Sequence, residues 1–336
     1  MLKKANWDEE YMKLVICGNG MDLHLGFRTS YPEYRKFLEE TKFIQGQSAI
    51  SLIEGSKFFV SRDADCWSDL ESSLTFNAEK YIEELLFAYD RDLELYDAQK
   101  SRSQIEAAKD FEKNNPETIA FDFTNRWFFE WLGKEFYGNV ERIKTSYDGI
   151  LKSIFDSECI FVNFNYTPSL ESIFDIEERK ILYIHNRFPT KTASPITSAG
   201  LMNEIIESGK KKFQFGSTEN KLKEWNEKLQ QVSLRSKGKL VSKKDIEERV
   251  RSIYRSFSKN LRDNYEYLES FVRGDMIEEV IVIGHSFIGV DEPYYRDVLV
   301  PLLKDNKWTF FCYGSREMAQ VFVEKYNIPD YEMIDW

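Results

Sequence analysis

Apolar residues cluster in short unbroken runs: Lys13–Cys17 (KLVIC), Cys159–Asn163 (CIFVN), Ile181–Ile184 (ILYI), Val280–Ile283 (VIVI) and Trp308–Tyr313 (WTFFCY). A strand with one wet face alternates apolar and polar positions. These runs do not, so they predict strands covered on both faces, as in parallel sheets. Turns and helix-period segments follow most of them, at Tyr31–Glu40, Pro168–Phe174, Pro293–Leu303 and Ser315–Tyr326. Strand, turn and helix in alternation predict an α/β fold, a Rossmann-like and mostly parallel open sheet.

Two long stretches break the rhythm. Residues 41–150 are mostly helical in pattern, with an aromatic stripe of Trp127, Phe128, Phe129, Trp131 and Leu132. Residues 191–272 are polar and helical and end in a long charged pattern. Both are expected to be large helical insertions, leaving 1–40, 151–190 and 273–336 to build the sheet domain. No internal repeat or low-complexity tract interrupts this scheme.

Composition narrows the class. Of 336 residues, 42% are hydrophobic and 15% aromatic, enough to fill a core and too much for a disordered chain. No apolar run approaches the roughly 18 residues of a membrane span, and the start, MLKKANWDEEYMK, lacks the apolar centre of a signal peptide. Cys17, Cys66, Cys159 and Cys312 form no C-x-x-C pair, and three of them sit in the apolar runs, where a thiol behaves as a small hydrophobe. The expectation is a reduced cytoplasmic protein with no disulfide, no zinc module and no membrane attachment.

A net charge of −11 argues against a general nucleic-acid coat. Yet residues 210–262 hold 16 lysines and arginines against 6 acidic residues. That stretch reads either as a solvated helical face that pairs with acidic surface, or as a docking patch for nucleic acid or an acidic protein.

Candidate chemistry collects just beyond the expected strands, where open α/β sheets bind ligands. Gly18-Asn19-Gly20-Met21-Asp22 follows the first. Glycines there let a backbone approach a phosphate, and helix N–H groups favour an anion; an ordinary tight turn accounts equally for the pattern. The G-x-G-x-x-G fingerprint is not met, because Leu23 holds the third position. Asn163-Phe164-Asn165-Tyr166-Thr167 ends the second strand, with amides pointing to alternate faces; one can face a ligand while the other caps, and two capping amides account more readily for the motif taken alone. Ile184-His185-Asn186 ends the third, and Gly284-His285-Ser286 with Asp291 follows the fourth. The three histidines, His24, His185 and His285, are all expected at this rim. A serine-hydrolase elbow is rejected, since position 288 is Ile and no histidine follows the serine. Metalloprotease and P-loop signatures are absent.

In their order these motifs resemble the phage abortive-infection AbiH family. The matching features are the GNG turn with Asp22, Thr29-Ser30-Tyr31, Trp67-Ser68-Asp69-Leu70-Glu71, NFNYT, the strand-end His185, and GHS with a later Asp291. That family in turn resembles a divergent sirtuin-like NAD-binding fold, with Gly18, Gly20, Asp22 and Gly26 in the register of the glycine-rich turn. Asn165, His185 and Gly284-His285-Ser286 match the later motifs. Asp22, Thr167 and Asn186 depart from the sirtuin pattern, and the paired cysteines of a zinc module are missing, which disfavours deacetylation.

The resemblance implies an anti-phage effector that hydrolyses NAD at the nicotinamide–ribose bond, with no required cofactor or metal. Asn165 and His185 would be catalytic. Gly18, Asn19, Gly20, Met21, Asp22, Gly284, His285, Ser286 and Asp291 would hold the nucleotide. A phage-derived trigger and a homo-oligomer are further expectations. Two other readings stay open: a non-catalytic module that senses a nucleotide and regulates a partner, and a nucleic-acid-acting effector using residues 210–262.

Overall fold

A computed structural model of the chain describes residues 12–55, 59–60, 67, 70–73, 75–83, 85, 116–147, 149–155, 158–185, 217–218, 235–236, 239–240, 243–259, 261–273, 277–287, 289–313 and 316–336. Cys66, Asn186 and most of the basic stretch 210–262 lie outside them. The chain divides into two compact units: Met1–Ser30, Leu132–Phe213 and Asn260–Trp336 form one, Tyr31–Trp131 and Gln214–Lys259 the other.

The first unit holds a six-stranded parallel sheet: β1 (Met12–Cys17), β2 (Cys159–Asn163), β3 (Ile181–Tyr183), β4 (Ile277–Ile283), β5 (Lys307–Cys312) and β6 (Tyr331–Asp335). Their spatial order is β3-β2-β1-β4-β5-β6. This is the doubly wound order of Rossmann folds, in which the chain reverses direction between the first and fourth strands. Central β1 pairs with β2 in the register Lys13 to Cys159 and with β4 in the register Lys13 to Glu279.

Both sheet faces are covered, which explains the unbroken apolar runs. Leu14, Ile16, Val162, Val280, Val282, Trp308 and Phe310 pack with Leu268 and Val272 of the helix Leu261–Arg273, and with Ala319, Phe322 and Val323 of the helix Glu317–Tyr326. On the opposite face Val15, Cys17, Phe161, Ile281, Ile283 and Phe311 pack under α1 (Asn19–Leu25) and under Phe136, Val140 and Ile143 of the helix Trp127–Ser146. Leu14, Val15, Ile16 and Cys17 are wholly buried. At about 1.5–3 kcal/mol for each large aliphatic side chain, β1 anchors the unit.

Two elements differ from the sequence expectation. The element directly after β1 is α1; the helix Tyr31–Thr41 belongs to the second unit. Helix α1 starts from an extended Gly18 and stops at Gly26, whose φ of 94° is the left-handed C-cap that glycine adopts without steric cost. The edge strand β6 was not anticipated.

The described part of the second unit is mainly helical, with Tyr31–Thr41, Phe43–Gly55, Pro116–Phe121 and Lys243–Ser256 beside two-residue ladders. Its buried aromatics are tied down by hydrogen bonds. The Tyr34 hydroxyl donates to the Phe123 carbonyl at 2.6 Å, Trp67 Nε1 donates to Glu54 Oε1 at 2.9 Å, and the Tyr31 hydroxyl donates to Glu71. Trp67 lies in a turn and the helix Leu70–Ser73 begins after it, so Trp67 and Glu71 do not share a helix face. No helix among the described residues is long and apolar enough to cross a membrane.

Candidate functional site

The site is built from the turns after β1, β2, β3 and β4, at the carboxyl edge and around the reversal point. The first and fourth turns touch. Gly18 N–H donates to the Ile283 carbonyl at 2.9 Å and Gly20 N–H donates to the Gly284 carbonyl at 2.8 Å. A Cβ on Gly18 would lie 2.6 Å from the Gly284 oxygen, and one on Gly20 would lie 2.7 Å from the Gly284 Cα. The glycines therefore serve a close crossing of backbone over backbone. The Gly20 N–H that a phosphate would require is already donated to Gly284.

The neighbours of this turn are also engaged. Asn19 Nδ2 donates to the Thr29 carbonyl at 3.0 Å, and its Oδ1 accepts the Thr29 hydroxyl at 2.7 Å. Met21 is fully buried among the apolar residues of its face. Asp22 is buried too and accepts the hydroxyls of Thr167 and, at 2.6 Å, Ser169, clasping the first turn to the second.

Burial pushes the Asp22 carboxyl up to about 6, against the lowering effect of the two hydroxyls. An unfolded aspartate titrates near 4, so folding favours the protonated form. The resulting stabilisation is present below pH 4 and lost as pH rises through about 6. Asp22→Asn removes this dependence. Its unfolding free energy relative to wild type should shift by about 2 kcal/mol in the variant's favour between pH 4 and pH 7, read by urea denaturation at both values. An unchanged difference would show that the carboxyl is not held as described.

Asn165 belongs to the same edge. Its N–H donates to Asn163 Oδ1 at 2.9 Å and its Nδ2 donates to the Gly18 carbonyl at 3.0 Å. Asn165 Oδ1 and Asn163 Nδ2 are buried without a hydrogen-bond partner among the described residues. An acceptor and a donor left open in this way suit a bound hydroxyl or water.

The third and fourth turns meet through an acid. His185 Nε2 lies 2.9 Å from Asp291 Oδ1, and His285 Nε2 lies 3.6 Å from Asp291 Oδ2. Both imidazoles are buried, with side-chain exposures of 2% and 4%. Phe164 packs against both, its ring centroid 5.6 Å from that of His185 and 4.3 Å from that of His285. Gly284 and Phe287 both have left-handed backbones, with φ of 60° and 56°. For Phe287 this conformation costs about 1–2 kcal/mol and needs support from its surroundings.

One chain of contacts therefore joins Asn165 to Gly18, Gly18 to the ring of His285, His285 to Asp291, and Asp291 to His185. Ser286 is exposed beside it. His24 is placed elsewhere, in the last turn of α1, stacked on Trp336 with centroids 3.9 Å apart. Sequence reasoning missed that one carboxylate serves two imidazoles. It also missed Asn264, whose Nδ2 donates to the Ile184 carbonyl at 3.0 Å and to the Tyr294 hydroxyl at 2.9 Å, bracing the turn that carries His185. Pairs so distant along the chain leave no spacing to read.

No curated protein and no solved structure matches the chain. The family model for bacteriophage abortive infection AbiH matches residues 14–312, from β1 through β5 and all four turns of the site, and the chain belongs to that family.

Proposed function

We propose that this member of the abortive-infection family acts by hydrolysing NAD at the nicotinamide–ribose bond. The observation that carries the reading is the pairing of buried His185 with partly buried Asp291, 2.9 Å apart, at the carboxyl edge of a doubly wound sheet. A carboxylate that fixes an imidazole is the usual arrangement for a general base. Asn165 Oδ1, buried without a partner among the described residues, supplies an acceptor for a ribose hydroxyl.

The chemistry asks little else of the protein. A water oxygen bonds to the ribose anomeric carbon, and the carbon–nitrogen bond breaks with its electron pair going to the pyridinium ring. Nicotinamide leaves neutral and needs no acid. The water proton passes to His185, and ADP-ribose is the second product. The transition state has oxocarbenium character, as in glycoside hydrolysis. Ser286, exposed on the same edge, is assigned to the pyrophosphate.

Incubating the purified protein with NAD and resolving the products tests the proposal. Nicotinamide and ADP-ribose should appear in equal amounts, and Asn165→Ala should slow their release about a hundredfold by loosening the ribose. Binding of NAD with no product would replace hydrolysis by sensing. No binding of NAD would remove the nucleotide from the reading altogether.

A further inference from the structure

We infer that His285 is a positioning residue for His185, acting through the carboxylate of Asp291 that lies between them; the inference rests on the reading of His185 as the base. The family resemblance implies a nucleotide contact for His285. Its surroundings assign it a different task.

Each oxygen of Asp291 faces one ring: Oδ1 lies 2.9 Å from His185 Nε2 and Oδ2 lies 3.6 Å from His285 Nε2. His285 Nδ1 accepts the Phe287 N–H at 3.3 Å. The neutral ring therefore carries its hydrogen on Nε2, the atom that faces Oδ2. The ring itself has little freedom. It packs on Phe164, lies 5.3 Å from the Tyr295 ring between centroids, and its Cδ2 would stand 2.8 Å from a Cβ on Gly18. The left-handed backbones at Gly284 and Phe287, on either side of it, turn the imidazole inward.

A carboxylate held at one oxygen can rotate; the Nε2 side of His285, 3.6 Å from the other oxygen and so outside hydrogen-bond range, favours one carboxylate plane through electrostatic attraction. The plane of Asp291 sets the direction of the hydrogen bond to His185, and so the direction in which His185 presents its other nitrogen. His285 thus orients the base without touching substrate.

The chain has three histidines, so its imidazole nitrogen spectrum contains three ring systems and is readily assigned by single substitutions. His285→Leu should move the ring-nitrogen resonances of His185. It should also lower kcat for NAD about tenfold to a hundredfold, the cost of a misaligned group, while KM stays within about twofold. His285→Gln, whose side-chain N–H reaches the Nε2 position, should restore both readouts to within about threefold. Adding His285→Leu to Asp291→Asn should cost nothing further, because both act on one interaction. Unmoved His185 resonances in both His285 variants, or a raised KM with intact kcat, would overturn the inference; the second result would return His285 to the nucleotide. If the wild type leaves NAD untouched, the hydrolytic reading fails while the resonances still decide whether His285 positions His185. Should His285→Leu not fold, His285→Asn, which cannot reach Oδ2, takes its place.

Discussion

His185→Ala is expected to slow NAD consumption by about a hundredfold to ten-thousandfold, the range for losing a positioned general base. The imidazole is buried against Phe164, Tyr166 and Tyr294 and is hydrogen-bonded to Asp291, so it is held in one orientation before any ligand arrives. Water admitted by the smaller side chain can solvate Asp291 and does not replace a group that takes a proton in a set direction. His185→Gln separates chemistry from packing: it keeps bulk and a polar end but is no base, and should be nearly as slow as alanine at a higher melting temperature. Rates of nicotinamide release beside thermal unfolding curves provide the check. Undiminished turnover in both variants would take the base away from His185. If NAD loss is the means of defence, growth arrest should fall in parallel.

The largest loss of stability is expected at Gly284. An alanine Cβ there would stand 2.3 Å from the Met21 nitrogen and 2.5 Å from the Gly20 carbonyl carbon, all backbone of the crossing turn, and φ is already 60°. Backbone cannot step aside as a side-chain tip does. Strain and overpacking together should cost about 2–5 kcal/mol. Gly26→Ala is the matched control, since its φ of 94° is also left-handed but nothing lies within 4 Å of the added carbon. It should cost about 1–2 kcal/mol, the conformational penalty alone. Equal losses in urea unfolding would mean that the two turns do not touch as described.

Much of the sheet was legible because strands buried on both faces have no polar positions to blur them. Strands β1, β2, β3, β4 and β5 all fall within the apolar runs or extend them by a few residues. Strand β6, Tyr-Glu-Met-Ile-Asp, was not legible: it lies at the sheet edge, partly or fully exposed, and its composition resembles a surface loop. Helix α1 was obscured by two glycines beside its start, which read as a turn, and its amphipathic stretch is only seven residues long. The strand ends named the turns that carry the site, since parallel strands share one carboxyl edge. The partners within it were beyond reach. Asp22 meets Ser169 across 147 positions and His185 meets Asp291 across 106, distances set by strand order and by no local rule. Met21 and Asn19, expected beside a ligand, are placed as a core residue and a staple to Thr29.

The position of β1 also governs when the molecule comes into being. Its neighbours in the sheet are Cys159–Asn163 on one side and Ile277–Ile283 on the other. A ribosome adding about 5–20 residues per second needs on the order of tens of seconds to reach the second of these after completing β1. Throughout that interval one edge of this buried apolar strand awaits its mate, an unpaired edge of the kind that invites wrong pairing. The turn bearing Gly284, His285 and Asp291 leaves the ribosome after every other part of the site, so no translation product that stops before residue 291 contains a complete His185–Asp291–His285 set.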